Sequence, residues 1–190
     1  RKIAWILEPR SIFPHVYKWI EENNRLFDYV LTYDQNLIDL GQNYLYYPHG
    51  RCWINDFVEN PEGKTELCSI FASSKKETVG HKLRHEVIRE FPEITAFGDA
   101  VNNRVEKKED GMNDYMFSIT IENTIMPGYW TEKIVDCFAT KNIPIFYGDR
   151  SVCDYFDEDG IIFFETIDEL REILPTLSKE LYESKREAVE

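Results

Sequence analysis

Short, uninterrupted apolar runs separated by segments of helical periodicity are the feature that most constrains this chain. Ile3–Leu7 is apolar throughout and stops at Glu8-Pro9, where the proline pushes Glu8 out of helical geometry and leaves it at a strand exit. Val16, Trp19 and Ile20 then recur at helical spacing, Tyr29–Tyr33 is a β-type run ended by Asp34, and Tyr44–Tyr47 is closed by Pro48-His49-Gly50. After a polar stretch, Asn55–Glu66, the alternation resumes. Strands are predicted at Cys68–Ala72, Ile94–Gly98, Tyr115–Ile121, Ile143–Gly148 and Ile161–Phe164. Between and after them lie helices carrying Leu83, Val87 and Ile88, then Thr131–Ala139, Leu170–Leu174 and Leu177–Val189. Strand–helix–strand repetition of this kind specifies a parallel α/β arrangement. The polar stretch is the expected linker, dividing the chain into 1–60 and 61–190. The charged run Asn102–Asn113 is predicted to be a flexible surface loop.

Composition narrows the function. The chain carries 35 acidic and 22 basic residues, a net charge of −13, which disfavours a broad nucleic-acid-binding surface. A bound phosphate would have to be met by locally concentrated cations. Lys75, Lys76, Lys82, Arg84 and Arg89 are such a concentration. The four cysteines form no CxxC pair and suggest neither a zinc knuckle nor a disulfide scaffold. No run is apolar enough to span a membrane, no signal peptide is recognised, and no Asn-x-Ser/Thr acceptor occurs. These absences point to a cytoplasmic setting, bacterial or viral rather than a secretory lumen. Because a strand begins almost at Arg1, the N-terminal unit is expected to be incomplete.

Ligands of open α/β sheets bind beyond the carboxyl ends of the strands. The polar residues at those exits are therefore the candidates: Glu8, Ser73-Ser74, Glu122-Asn123 and Gly148. The densest group follows the Tyr115–Ile121 strand, which delivers Glu122 and Asn123 to the sheet edge. After Pro127-Gly128, Thr131 is a helix N-cap with Glu132 and Lys133 in the first turn. A helix N-terminus offers unpaired N–H groups to a diphosphate, and Lys133 adds a full charge. Glu132 can accept hydrogen bonds from sugar or ribose hydroxyls. Read alone, Thr-Glu-Lys is an ordinary cap with a solvated charge pair. His81 and His85 share a helix face but lack the acidic residue of a zinc-protease helix, and Asp157-Glu158-Asp159 reads as a polar turn. No metal is assigned to either.

The spaced set Phe117, Glu122, Asn123, Tyr129, Thr131, Glu132, Lys133, Ile143, Pro144, Ile145 and Gly148 resembles the signature of the family-10 glycosyltransferases, the α-1,3/4-fucosyltransferases. The likeness is good over roughly residues 65–170 and looser upstream, where Glu8-Pro9-Arg10-Ser11 takes the place of a Glu-Ser-Pro segment. The resemblance implies a GT-B-like fold, two Rossmann-like domains facing a cleft, with the acceptor-side domain in 1–60 and the nucleotide-sugar domain in 61–190. It implies an inverting transfer of fucose from GDP-fucose to a glycan hydroxyl, with no metal or other cofactor. By the same resemblance Glu8 is the catalytic base, and Ser73, Arg84, Glu122, Asn123, Tyr129, Thr131, Glu132 and Lys133 bind the donor. Two alternatives stay open: a transferase using another nucleotide sugar, and a non-catalytic nucleotide- or glycan-binding domain.

Overall fold

The computed structural model describes residues 1–41, 43–55 and 63–189, so most of the expected linker, residues 56–62, lies outside the described residues. Two parallel sheets are present. The first has the order β1-β2-β3, from β1 (Ile3–Trp5), β2 (Tyr29–Thr32) and β3 (Tyr44–Tyr46). The second contains β4 (Glu66–Phe71), β5 (Thr95–Phe97), β6 (Tyr115–Ile121), β7 (Ile143–Tyr147) and β8 (Ile162–Phe163), in the order β5-β4-β6-β7-β8. The helices are α1 (Pro14–Asn23), α2 (Gln35–Ile38), α3 (Val79–Glu90), α4 (Glu132–Ala139), α5 (Ile167–Ile173) and α6 (Lys179–Val189). The α/β class and the parallel sense of every strand pair are as the sequence predicts.

In the first sheet, Ile6, Tyr17, Ile20, Val30, Leu37 and Tyr44 form a core on one face. Tyr17, not Trp19, fills the inner position of α1; Trp19 is exposed and meets Phe27 edge-on at 6.1 Å. On the opposite face the register sets Ile3 beside Tyr29 and Leu31 beside Leu45, and Ile3, Trp5, Tyr29, Leu45 and Tyr47 stay exposed. The second sheet is filled on both sides. Ile70, Val87, Phe117, Ile119, Ile143, Ile145, Leu170 and Tyr182 pack on one, while Trp130, Ile134, Phe146, Val152 and Ile161 pack on the other. Every residue of β6 and β7 is buried.

The strand order places the site. The chain runs from β4 outward to β5, then returns to add β6 on the other side of β4. That reversal opens a crevice above the carboxyl ends of β4 and β6, the usual ligand position of an open α/β sheet. Helix α3 packs so close to it that a Cβ on Gly80 would lie 1.8 Å from the Glu122 carbonyl oxygen; only glycine fits there. Thr78 caps α3 by accepting from the His81 N–H (3.1 Å), and the His81 imidazole Nδ1 accepts from the Thr78 N–H (3.3 Å).

The charged run 102–113 lies at the surface, as its composition suggests, only in its first half, where residues 102–104, 106 and 107 are exposed. It contains a 3-10 turn, Lys108–Gly111, in which Glu109 and Gly111 are buried, and Met112 follows at 1% exposure. The reason is hydrogen bonding. The Glu109 carboxylate accepts the Asn55 N–H at 2.9 Å, the Gly111 carbonyl accepts from Ser69 Oγ at 3.0 Å, and the Met112 carbonyl accepts from buried Lys64. The Lys64 ammonium also donates to the carbonyls of Asn113 (3.0 Å) and Tyr115 (2.8 Å) and to Asn142 Oδ1 (3.1 Å). Burial lowers its pKa to about 8. The turn Glu158–Gly160, capped by Asp157, is the polar turn expected there.

Candidate active site

A cleft of about 610 Å³ opens at the β4/β6 reversal. Of the sequence-predicted residues, Glu8, Ser73, Arg84, Asn123, Tyr129, Thr131, Glu132 and Lys133 line it. Glu122 does not; its side chain is fully buried behind the wall. His49, Arg51 and Trp53 enter from the segment after β3, and Lys75, His81 and Lys108 add cationic or titratable groups. Net acidity elsewhere therefore coexists with a local gathering of basic groups.

Three of these cations differ in how they are held. Arg84, on α3 and 6% exposed, donates through Nη2 to the Ile121 carbonyl and to Asn123 Oδ1. Its Nε and Nη1 have no acceptor among the described residues. Burial lowers its pKa, while the charge of Glu122 works to raise it. Lys133 Nζ donates to Glu122 Oε2 (3.0 Å) and Thr131 Oγ1 (2.7 Å), with Glu132 Oε1 at 3.6 Å. Lys108 Nζ is bound at 2.6 Å to Asp136, a fully buried carboxylate on α4 that also accepts the Trp53 N–H at 2.7 Å.

The first turn of α4 is not the open set of N–H groups expected from its sequence. Thr131 N–H and Oγ1 both donate to Glu122, at 2.8 Å each to Oε1, and the Lys133 N–H points at Thr131 Oγ1 at 3.5 Å. Carboxylates occupy this N-terminus because the helix dipole favours them there. The Glu132 carboxyl is 17% exposed. Burial opposes its charge, yet Lys133, Lys108 and His49 outweigh that and hold its pKa below the usual carboxylate range. His49 Nδ1 stands 3.8 Å from Glu132 Oε2 and makes no hydrogen bond among the described residues.

Glu8 faces this cluster from the first sheet. Its backbone carbonyl accepts from Tyr17 OH at 3.0 Å, Tyr17 OH lies 3.3 Å from Tyr33 OH, and the Tyr33 ring stands 4.9 Å from that of Tyr129. Burial raises the pKa of Tyr129, and Glu122 and then Glu8 raise it further, so the phenol stays protonated. Arg10 is not the partner of Glu8: it pairs with Glu21 (2.9 Å) and Asp34 (3.5 Å) and stacks over Tyr17. No hydrogen bond or ion pair engages the Glu8 carboxylate among the described residues. Ser73 lines the cleft as an exposed side chain at the end of β4.

Sequence reasoning missed Trp53, Arg51 and Lys108, because none stands in a recognisable motif and Lys108 is one charge among many in its run. His81 and His85 serve locally: His81 caps α3, and His85 Nε2 lies 3.1 Å from the Lys75 carbonyl oxygen. Among the described residues no group of three or more His, Cys, Asp or Glu is placed to hold a metal ion, and no helix is long and apolar enough to cross a membrane.

Two facing α/β units with a cleft between them, one bearing a cation-lined strand exit, define a GT-B type of fold. The sequence profile of glycosyltransferase family 10 (fucosyltransferase), C-terminal part, matches residues 61–185, more than half of the chain, and the chain belongs to that family. It is 28% identical over 112 residues to the alpha-(1,3)-fucosyltransferase FucT of Helicobacter pylori, covering 57% of this chain and 23% of that protein. Human 4-galactosyl-N-acetylglucosaminide 3-alpha-L-fucosyltransferase 9 is 25% identical over 187 residues, covering 87% of this chain and 50% of that one. Among solved structures, an alpha1,3-fucosyltransferase with GDP superimposes with a TM-score of 0.66 at 19% identity, over 97% of this chain and 64% of the other. The same enzyme class with GDP-fucose gives 0.64 at 19% identity, over 97% and 65%. The chain thus spans half or less of the length of these curated relatives.

Proposed function

We propose that this chain binds GDP-fucose and carries out an inverting, metal-independent transfer of fucose to a glycan hydroxyl. The observation that carries this reading is the meeting, in one cleft, of the Arg84–Asn123–Lys133 group with the Glu8 carboxylate, unpaired among the described residues. Residues 61–190 form the donor half and residues 1–60 part of the acceptor half. Arg84 meets the diphosphate through its Nε and Nη1 edge, Lys133 meets it as a point charge, and Glu132, kept ionised, accepts donor hydroxyls. The acceptor oxygen attacks the anomeric carbon from the side opposite GDP while Glu8 takes its proton. The negative charge growing on the diphosphate is met by cations already in place. Those cations supply what a divalent metal supplies in other transferases. The relatives' structures with GDP and GDP-fucose support this donor.

Calorimetry with GDP, UDP and ADP tests the donor, followed by transfer from GDP-fucose to a 4-galactosyl-N-acetylglucosaminide with and without a chelator. Binding of GDP alone and chelator-resistant transfer are expected. Preference for UDP would move the chain to another nucleotide sugar. Binding without transfer would make it a non-catalytic module, and loss of transfer in chelator would require a metal.

A further inference from the structure

We infer that Glu122 is a positioning residue: it never touches the donor but, directly and through Thr131, sets Lys133 where the diphosphate meets it. This rests on the proposed GDP site. Glu122 closes β6 at its carboxyl end, and its side chain has no exposed surface. A buried carboxylate is costly unless its lone pairs are taken up. Here they are: Oε1 accepts from Thr131 N–H (2.8 Å), the single Thr131 hydroxyl hydrogen lies between Oε1 (2.8 Å) and Oε2 (2.9 Å), and Oε2 accepts from Lys133 Nζ (3.0 Å). Lys133 is thereby tied at two points, to Glu122 and to the Thr131 hydroxyl that Glu122 itself orients. Only one of its three ammonium hydrogens remains to be aimed, and Lys133 keeps part of its side chain in the cleft. The Glu122 charge also reaches Arg84 and favours its cationic form.

Two effects of this carboxylate on a bound diphosphate oppose each other. Its negative charge repels the ligand, so neutralising it would tighten binding if charge alone mattered. Its geometry fixes the cation, so replacing it would loosen binding. An amide at this place keeps one acceptor oxygen and replaces the other by an NH2 donor, so in either orientation one of its two partners, Thr131 N–H or Lys133 Nζ, faces a donor and the tie between them is lost. Geometry wins in this reading because the Glu122 charge is already matched by Lys133 at 3.0 Å.

The test is GDP affinity of the 190-residue chain in a double-mutant cycle. Wild type, Glu122→Gln, Lys133→Ala and the double variant are compared, with melting temperature as a check on folding. Glu122→Gln is expected to weaken GDP binding about tenfold, and to cause no further loss once Lys133 is Ala. Unchanged or tighter GDP binding in folded Glu122→Gln overturns the inference, as does a loss that adds fully to that of Lys133→Ala. If the Gln variant does not fold, Glu122→Asp keeps the charge but withdraws it by one methylene. It should show the same loss and the same non-additivity, and wild-type affinity there would also overturn the inference. A wild-type chain that binds no GDP defeats the proposed site itself, a result distinct from each of these.

Discussion

The two sheets are built from the same kind of strand, yet they differ in what covers them. The second is packed on both faces, with all of β6 and β7 buried, while the first buries one face and leaves Ile3, Trp5, Tyr29, Leu45 and Tyr47 exposed on the other. The family match falls on the second, residues 61–185. Its hydrogen-bonded site sits on the sheet whose strands cannot shift without disturbing two cores. The first sheet contributes fewer groups to the cleft, Leu7 and Glu8 from the β1 exit and the His49–Trp53 stretch after β3. On the proposed function, the donor groups sit on the sheet packed on both faces and the acceptor groups on the sheet packed on one.

The sharpest way to break this comparison is chemical. Glu8→Gln is expected to lower turnover about 10²–10⁴-fold, the usual worth of a general base, while leaving GDP affinity unchanged. Single-turnover transfer with calorimetry on the same protein checks it, and full turnover by the folded variant would remove Glu8 from the chemistry. Next in size is a packing contrast. Ile145→Ala, in a fully buried strand, should cost about 2–5 kcal/mol, whereas Ile3→Ala, at a site 56% exposed, should cost under about 0.5 kcal/mol in urea unfolding. Equal costs would mean that the two sheets are not differently covered in solution.

Arg84→Ala and Lys133→Ala should each weaken GDP binding by about 1–3 kcal/mol, the scale of a charge-assisted bond. That loss would set them apart from Glu8, whose replacement should spare donor binding. The smallest effect concerns the His81 cap. Burial first, and then the Arg84 cation, lower the imidazole pKa below its value in the unfolded chain. Between the two values the unfolded state holds the extra proton, so stability should fall as pH drops through about 6.5 and level off below the folded value. His81→Asn, which keeps an acceptor for the Thr78 N–H without titrating, should flatten that part of the pH–stability curve relative to wild type.

Much of this was legible in residue order. Short apolar runs such as Ile143–Tyr147 read as buried strands, and Thr131-Glu132-Lys133 reads as both a cap and a cation. Contacts over long sequence distances were not legible. Nothing near Glu122 shows that it faces inward to Thr131 and Lys133, because β6 carries polar Ser118 and Thr120 as well as apolar residues and all are buried. The second half of the run 102–113 departs from its hydrophilic composition because a polar residue can be buried as a hydrogen-bonding partner, as Glu109 is by accepting a backbone N–H from Asn55. Trp19 misled because helical spacing fixes a face only to within one position, and Tyr17 took the inner place.

Lys64 gives the second sheet a chemical clock. Its amine, with a pKa lowered to about 8, is unprotonated in a sizeable fraction of molecules at mildly alkaline pH, the form that attacks acylating reagents. Yet Lys64 is 4% exposed, and its Nζ is enclosed by the Tyr115 carbonyl at the entrance of β6 and by Asn142. Exposed lysines such as Lys75 and Lys76 should be labelled at the rate of free amines, while labelling of Lys64 should wait for the strand entrance to part. The rate at which mass spectrometry finds a modified Lys64 peptide therefore reports how often the entrance of β6 opens, with no substitution in the chain.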